Sequence, residues 1–154
     1  MIEEERIFGK PSVMGRLGIA FLTWKRYLQR KLVPYGITLK QAFVLRQLEK
    51  RGFLYPSQIA RMLFCDRPTA TVIVKNMERQ GWVERQKDTE NQKYVRVSIT
   101  ERGKEKLAEI QPPLGTAESS SNPLVCFSKE EIEELEKLLI KLNEHLKEIR
   151  QEDQ

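Results

Sequence analysis

A basic, hydroxyl-rich stretch after Asp66 contains the residues best suited to chemistry in this sequence, namely Arg67, Thr69, Thr71 and Lys75. Their guanidinium, hydroxyl and ammonium groups are hydrogen-bond donors. A guanidinium matches the O6 and N7 atoms of guanine, and threonine offers a hydroxyl for mixed contacts and a methyl group for thymine. The stretch therefore indicates recognition of a nucleic acid, although simple helix capping is the alternative interpretation for Asp66 and Thr69.

Reaction chemistry has little support elsewhere in the sequence. It contains no nucleophile–base motif, no glycine-rich phosphate loop and no paired-carboxylate setting outside solvated helix faces. Two cysteines, Cys65 and Cys126, and one histidine, His145, supply neither a disulfide framework nor a zinc site. We therefore expect no enzyme activity, no metal and no cofactor. Both thiols are expected to be packed and inert, with oxidation of Cys65 as the alternative.

The charge of the chain is unevenly distributed. The 154 residues include 27 Lys or Arg and 22 Asp or Glu, which gives a net charge of +5. Residues 1–50 carry +6 and residues 51–107 carry +5, whereas 108–127 carry −2 and 128–154 carry −4. A basic front and an acidic tail predict that the first two-thirds face a polyanion, with chance asymmetry of a solvated surface as the alternative.

The composition also bears on the compartment. Hydrophobic residues make up 40% of the chain, so a core is possible. No stretch approaches the ~18–20 apolar residues of a membrane span. The acidic N-terminus lacks the basic-then-apolar order of a signal peptide. We therefore expect one cytoplasmic domain with no membrane partner.

Apolar spacing and capping signals predict a mainly helical chain. One face of a long first helix contains Met14, Leu17, Phe21, Trp24, Leu28 and Leu32. A capping box at Thr38 begins a second helix, which ends at Gly52 and contains the apolar residues Leu39, Phe43, Leu45 and Leu48. Pro56 begins a short third helix, and Asp66 caps a fourth that ends at Gly81. Only about three residues separate these two helices, which is typical of a helix-turn-helix.

Two strand-like runs follow, Trp82 to Arg85 and Tyr94 to Ile99, and predict a hairpin with residues 88–93 at its tip. A helix-turn-helix followed by such a hairpin is a winged helix. Thr100 caps a fifth helix, which the prolines at 112 and 113 kink or end. Ser128 begins a capping box for the last helix, whose apolar residues form a broad stripe.

The order and spacing of these motifs make the chain resemble the MarR family of transcription regulators over about residues 13–150. The resemblance is carried by Thr38-Leu39-x-Gln41, Pro56-Ser57-Gln58-Ile59-Ala60, Asp66-Arg67-Pro68-Thr69-Ala70-Thr71, Met77-Glu78-x-x-Gly81-Trp82-Val83-Glu84-Arg85, Asp88 and Val97-Ser98-Ile99-Thr100-Glu101-x-Gly103. It implies a mainly α fold with a small β-hairpin wing, that is, a winged helix-turn-helix plus a helical dimerisation region.

The resemblance also implies a division of the chain. Residues 13–36 are expected to be a dimerisation helix, 37–107 the DNA-binding domain, 108–127 a kinked helix end and linker, and 128–151 a C-terminal dimerisation helix. The expected dimer contacts are Leu17, Ile132, Leu135, Leu139, Leu142 and Leu146. Packing of these residues within a single chain is the alternative.

The function implied is that of a sequence-specific regulator of transcription that binds double-stranded DNA. We expect a homodimeric repressor on a pseudo-palindromic operator, released by a small phenolic or aromatic ligand. One alternative is a DNA-binding or architectural dimer without small-molecule control, and another is a winged helix that binds protein. The expected DNA contacts are Ser57, Gln58, Arg67, Pro68, Thr69, Thr71, Lys75, Asp88, Gln92 and Lys93.

Two positions depart from the family pattern. Val72 stands where the family often has arginine, so one base contact is missing or replaced by an apolar one. The wing keeps Asp88 but has Asn91, Gln92 and Lys93 in place of Asp-Arg-Arg. Because lysine lacks the fork geometry of arginine, we expect a wing that contributes less to reading DNA shape.

An effector pocket would lie between the dimerisation helices and the DNA-binding domain. Its candidate lining residues are aromatic, namely Phe21, Trp24, Tyr27, Tyr35 and Phe43. Aromatic residues at helical spacing also occur in ordinary cores, which is the alternative interpretation of the same set.

Overall fold

The computed structural model describes residues 9–110 and 122–152, and most of these residues are helical. In chain order the helices are α1 Val13–Leu32, α2 Leu39–Arg51, α3 Pro56–Met62, α4 Arg67–Arg79, α5 Glu101–Glu109 and α6 Lys129–Glu152. The strands are β1 Phe53–Leu54, β2 Val83–Lys87 and β3 Val95–Ile99. The chain divides into two compact units, Met1–Leu114 and Gly115–Gln154.

The predicted start of α2 is confirmed. The Thr38 hydroxyl accepts from the Gln41 amide at 3.2 Å, and the Gln41 side-chain oxygen accepts from the Thr38 amide at 2.9 Å. This reciprocal pair satisfies two amides that the first turn of a helix leaves without partners. Gly52 ends the helix with a φ of +82°, a conformation that glycine adopts without steric cost.

Helices α3 and α4 form the predicted helix-turn-helix. After α3 ends, the Cys65 amide donates to the Ala60 carbonyl at 3.1 Å, which closes the turn. Phe64, the residue before Cys65, has a φ of +50° and is the non-glycine residue with positive φ in the described part of the chain. The turn thus reverses the backbone in a conformation that would favour glycine.

The sheet is larger than predicted. The order of its three antiparallel strands is β1-β3-β2, and β1 pairs with β3 through Phe53 opposite Ser98. The hairpin pairs Val83 with Ile99 through Lys87 with Val95. The prediction missed β1, and it placed the first hairpin strand at Trp82 to Arg85, one residue early at its start and two at its end.

A core of apolar side chains connects the helices α2, α3, α4 and α5 with the sheet. It includes Leu45, Leu48, Ile59, Val74, Met77, Val97 and Leu107. Phe43, one of the apolar residues of the predicted second helix, is 40% exposed. Ala42 and Val44 are buried beside Leu45 and Leu48 instead. Leu39 packs against the core only at its edge.

Helix α1 contributes only its last turns to this core. Leu28 and Leu32 are buried, as the apolar spacing predicts. Met14 and Phe21, on the same predicted face, are exposed. The leading half of α1 therefore carries an apolar face without cover inside the first compact unit.

Helix α5 lies against the segment that links α4 to β2. The Thr100 hydroxyl donates to the Gly81 carbonyl, and the Thr100 amide donates to the Trp82 carbonyl at 3.0 Å. The same hydroxyl accepts from the Gly103 amide at 3.0 Å, which caps the helix as predicted. This close approach leaves Gly103 buried against the Trp82 backbone.

The second unit contains α6. The predicted capping box is confirmed, since the Ser128 amide donates to Glu131 at 2.8 Å and the Glu131 amide donates to the Ser128 hydroxyl at 3.2 Å. None of residues 129–149 is buried. The predicted kink at prolines 112 and 113 and most of the expected linker at 108–127 lie outside the described residues. Within the described ranges, no helix combines the length and apolarity needed to cross a bilayer.

Candidate nucleic-acid interface

Helix α4 is held by one face and exposed along the other. Ala70, Val74 and Met77 recur at spacings of four and three and are buried. The opposite face carries a stripe of four residues, all of them exposed. They are Pro68, Val72, Lys75 and Arg79, at spacings of four, three and four. Because such a helix is about the width of the major groove, this stripe is the surface that a duplex can contact.

Asp66 fixes the leading end of α4. Its carboxylate accepts from the Thr69 amide at 2.7 Å and also from the Thr69 hydroxyl. These hydrogen bonds stabilise the charged form, so the pKa of Asp66 lies below its ordinary value. The Thr71 hydroxyl donates to the Arg67 carbonyl at 2.9 Å. Both threonine hydroxyls are therefore committed to the helix itself.

A cleft of about 290 Å³ lies between α3, α4 and the hairpin. It brings together four predicted contact residues, Ser57, Arg67, Thr71 and Lys93, and its other lining residues are Tyr55, Pro56, Tyr94 and Val95. Two cations and the Ser57 hydroxyl group, from three different elements, thus line one concave surface. Such a set suits a phosphate-bearing backbone, which protein side chains and helix starts bind through hydrogen bonds.

Asp88 was predicted to contact DNA at the protein surface, but the structure places it beneath that surface. Its side chain is 2% exposed and accepts from Arg96 Nε at 2.7 Å and Arg96 Nη2 at 3.1 Å. The Tyr55 hydroxyl, at the start of α3, donates to the same carboxylate. Asp88 therefore lies behind the protein surface, where it joins β2, β3 and α3.

These contacts move three pKa values in consistent directions. Hydrogen bonds from Arg96 and then Tyr55 hold the pKa of Asp88 well below its usual range. The hydrogen bond to Asp88 raises the pKa of both Tyr55 and Arg96. The Arg96 guanidinium also lies 4.2 Å from the centre of the Phe53 ring in β1. All three groups are therefore held in the protonation states that favour the network at neutral pH.

Asp88 also shapes the tip of the wing. Its Oδ1 accepts from the Glu90 amide at 2.7 Å and the Asn91 amide at 3.2 Å. The Asn91 side chain in turn accepts from the Lys93 amide at 3.2 Å. These local bonds satisfy the turn, and the side chains of residues 89–93 are exposed. Gln92 and Lys93 thus stand on the outside of the tip, as predicted.

Sequence reasoning missed Tyr55 and Arg96. The strand pattern of residues 94–99 assigns Arg96 to the exposed face, and no sequence signal links Tyr55 to a residue 33 positions away. The hairpin tip contains two acidic residues, Asp88 and Glu90, and nothing in the sequence distinguishes Asp88 as the one that forms a buried ion pair. Gln58 is also partly committed, because its side-chain oxygen accepts from the Tyr55 amide at 2.9 Å.

A second cavity, of about 370 Å³, lies between α1, α2 and α4. Its lining is Lys25, Gln29, Thr38, Leu39, Lys40, Gln41, Ile73 and Asn76. None of the five aromatic candidates Phe21, Trp24, Tyr27, Tyr35 and Phe43 belongs to that lining. Trp24 and Tyr27 stack on each other at 5.4 Å on α1. The aromatic set and this cavity are therefore separate features.

The expected dimer contacts are all at least partly exposed in the single chain: Leu17, Ile132, Leu135, Leu139, Leu142 and Leu146. Cys65 packs against the core, whereas the expectation that Cys126 is packed is wrong, because its side chain is exposed. His145 is exposed, 3.5 Å from Glu148. In the parts of the chain that the structure describes, no cluster of three His, Cys, Asp or Glu residues could hold a metal.

A helix-turn-helix with a three-stranded sheet and a projecting hairpin defines the winged-helix class. The sequence model of the MarR family matches residues 37–95. The chain is 30% identical to the transcriptional repressor MprA of Escherichia coli over 76 residues, which cover 49% of this chain and 43% of that protein. It is 32% identical to the organic hydroperoxide resistance transcriptional regulator of Bacillus subtilis over 93 residues, 58% of this chain and 63% of that protein.

These matches span about half the length of the curated relatives. A Staphylococcus aureus MepR–DNA complex contains a chain of the same fold, with a TM-score of 0.78 at 20% identity over 88% of this chain and 99% of that one. Residues 37–95 of the chain are therefore similar to the MarR family. The family and the relatives named above are transcriptional regulators rather than enzymes.

Proposed function

We propose that this protein is a sequence-specific transcriptional regulator that binds double-stranded DNA as a homodimer and represses transcription. The observation that carries the proposal is the cleft that brings Ser57, Arg67, Thr71 and Lys93 together beside the exposed stripe of α4. In a winged helix of this kind, the leading residues of the recognition helix contact base edges in the major groove. The basic charge of residues 1–107 supplies attraction for phosphate.

Two exposed apolar surfaces support the proposed dimer. The leading half of α1 exposes Met14 and Phe21, and α6 exposes Leu138 and Leu146. Helix α6 has 24 residues, and none of those at 129–149 is buried; such a helix is not stable by itself, because packing of an apolar face supplies most helical stability. A second copy of the chain would cover both surfaces. It would also place two recognition helices about one DNA turn apart, ~34–36 Å, on a pseudo-palindromic operator.

Control by a small phenolic or aromatic ligand is part of the proposal, as is a cytoplasmic location. The cavity between α1, α2 and α4 supports control by a ligand, because its volume of about 370 Å³ lies within the range of small-molecule sites. Lys25 and Lys40 suit the acidic group of such a ligand, and Ile73 and Asn76 belong to α4 itself. A ligand there would displace the recognition helix. A DNA-binding dimer without such control is the second candidate, and loss of duplex binding on adding phenolic compounds separates the two.

Arg67→Ala is expected to weaken binding to the preferred duplex by about 1–3 kcal/mol and to relax preference at one base pair. The reason is loss of a guanidinium that matches a guanine edge. Selection of bound sequences from a random duplex pool by wild type, followed by fluorescence anisotropy on the selected inverted repeat, measures both effects. An unchanged consensus for the variant would contradict the assigned role.

Lys93→Ala is expected to lower affinity to a similar degree for selected and random duplexes and to reduce the slope of log K against log salt by about 1. The ammonium at the wing tip neutralises phosphate and carries no base information. Titration at several salt concentrations measures the slope. Lys137→Ala, an exposed lysine on α6, is the matched control and leaves the slope unchanged. A variant that loses affinity only for the selected duplex would argue against this division of roles.

A further inference from the structure

Phe64 combines two unfavourable features in the turn before α4. Its φ is +50°, in the left-handed region that a bulky residue seldom adopts, and its side chain is 92% exposed. A glycine there would avoid the steric cost and would leave no aromatic ring in water. The ring therefore contributes nothing to the fold that would offset either feature. Strain of this kind is a reason to look for a binding role.

Val72 is a second exposed apolar side chain, on α4 itself. It is 57% exposed and lies on the outward stripe of α4, one turn after Pro68 and one before Lys75. The stripe is the part of the helix that faces away from the core. An apolar residue in its middle presents a methyl-covered surface where a hydrogen-bonding side chain would otherwise read a base edge.

The threonines add to the apolar character of the same end of the helix. Thr69 donates its hydroxyl to Asp66, and Thr71 donates its hydroxyl to the Arg67 carbonyl. Both donors are used within the protein, so neither hydroxyl hydrogen is free for a base. Apart from Arg67 and Lys75, the leading half of α4 therefore offers little hydrogen-bond donation and a substantial apolar surface.

Thymine is the base whose major-groove edge matches such a surface, because its C5 methyl group is the apolar feature of that groove. We propose that Phe64 and Val72 contact thymine methyl groups and thereby select thymine at two or more positions of each half-site. The inference rests on the proposed binding of duplex DNA and specifies what that binding reads. Phe64 lies two residues before the cap of α4, so it would meet the duplex at the edge of the contact made by Arg67.

The test compares thymine with uracil, which lacks only the C5 methyl group. The inverted repeat selected by wild type is synthesised with thymine or with uracil in its half-sites, and affinities are measured at fixed salt. Wild type is expected to bind the uracil duplex more weakly, by about fourfold per contacted methyl group. Phe64→Gly and Val72→Ser, which removes both valine methyl groups, are expected to bind the thymine duplex more weakly and to lose less on uracil substitution.

Phe64→Gly also separates binding from folding, because removal of left-handed strain is expected to raise its thermal stability. Val125→Ser, at an exposed valine of the second unit, is the matched control for Val72→Ser and behaves as wild type. Equal affinity of wild type for thymine and uracil duplexes would overturn the inference and leave the proposed function standing. Failure of wild type to prefer any duplex sequence would overturn both.

Discussion

Gly103→Ala is expected to destabilise the first compact unit by about 3 kcal/mol or more, a large part of the stability of a small domain. A Cβ at this position would overlap the Trp82 carbonyl oxygen and lie 2.7 Å from Ile99 Cγ1. The Trp82 carbonyl cannot retreat easily, because it accepts a hydrogen bond from the Thr100 amide. The start of α5 must therefore separate from the segment between α4 and β2. Denaturant unfolding followed by circular dichroism measures the loss.

Gly18→Ala is the matched control for this prediction. Gly18 lies inside α1, and a Cβ there would meet no atom within 4 Å. Alanine is expected to stabilise the helix by roughly 0.5–1 kcal/mol, because it lowers the entropy lost on folding. If Gly103→Ala were as stable as Gly18→Ala, the close packing of α5 on Trp82 would be incorrect.

Asp88→Asn is expected to cause the largest loss of stability among single polar substitutions in the wing, and to weaken duplex binding. The substitution removes the charge that Arg96 and Tyr55 share, and it leaves the Arg96 guanidinium, 26% exposed, without its partner. Thermal unfolding measures the first effect and anisotropy with the selected duplex measures the second. Glu101→Gln, which breaks an exposed ion pair with Lys104, is the control and changes little.

The Asp88 carboxylate also makes the stability of the wing depend on pH. Because the pKa of Asp88 is lower in the folded chain than in the unfolded chain, its contribution to stability is present above about pH 4. It is lost as the pH falls from there towards the folded pKa. The difference in stability between wild type and Asp88→Asn should therefore shrink below about pH 4. A difference that persists unchanged in acid would show that the ion pair does not stabilise the fold.

Local signals predicted much of this fold. Thr38, Asp66, Thr100 and Ser128 each cap the helix expected of them, because a cap depends only on the residues of one turn. The hairpin followed from alternation between apolar and polar residues. Strand β1 escaped prediction because two residues carry no periodicity, and its existence depends on pairing with Ser98, 45 positions away from Phe53.

Side chains with several possible environments were harder to predict. Apolar residues on α2 cover more than one face, so helical spacing alone did not decide that Ala42 and Val44 are buried and Phe43 is exposed. The site shows the same limit. Arg67, Thr71 and Lys93 were predicted from type and position, and the cleft brings them together. Asp88 was predicted as a contact from its match to the family's wing pattern. Its ion pair with Arg96 was missed, because Arg96 reaches it only after the hairpin closes.

The Asp88 network has a consequence for how the protein moves. A hairpin that is attached to a domain only by its own ladder can detach locally while the rest stays folded. Here the end of β2 is also tied to the middle of β3 and to the first residue before α3. Detaching the tip end of the hairpin would strip a carboxylate and a guanidinium of their bonds at the same moment. The wing and the helix-turn-helix thus form one cooperative element, whose parts open together rather than one after the other.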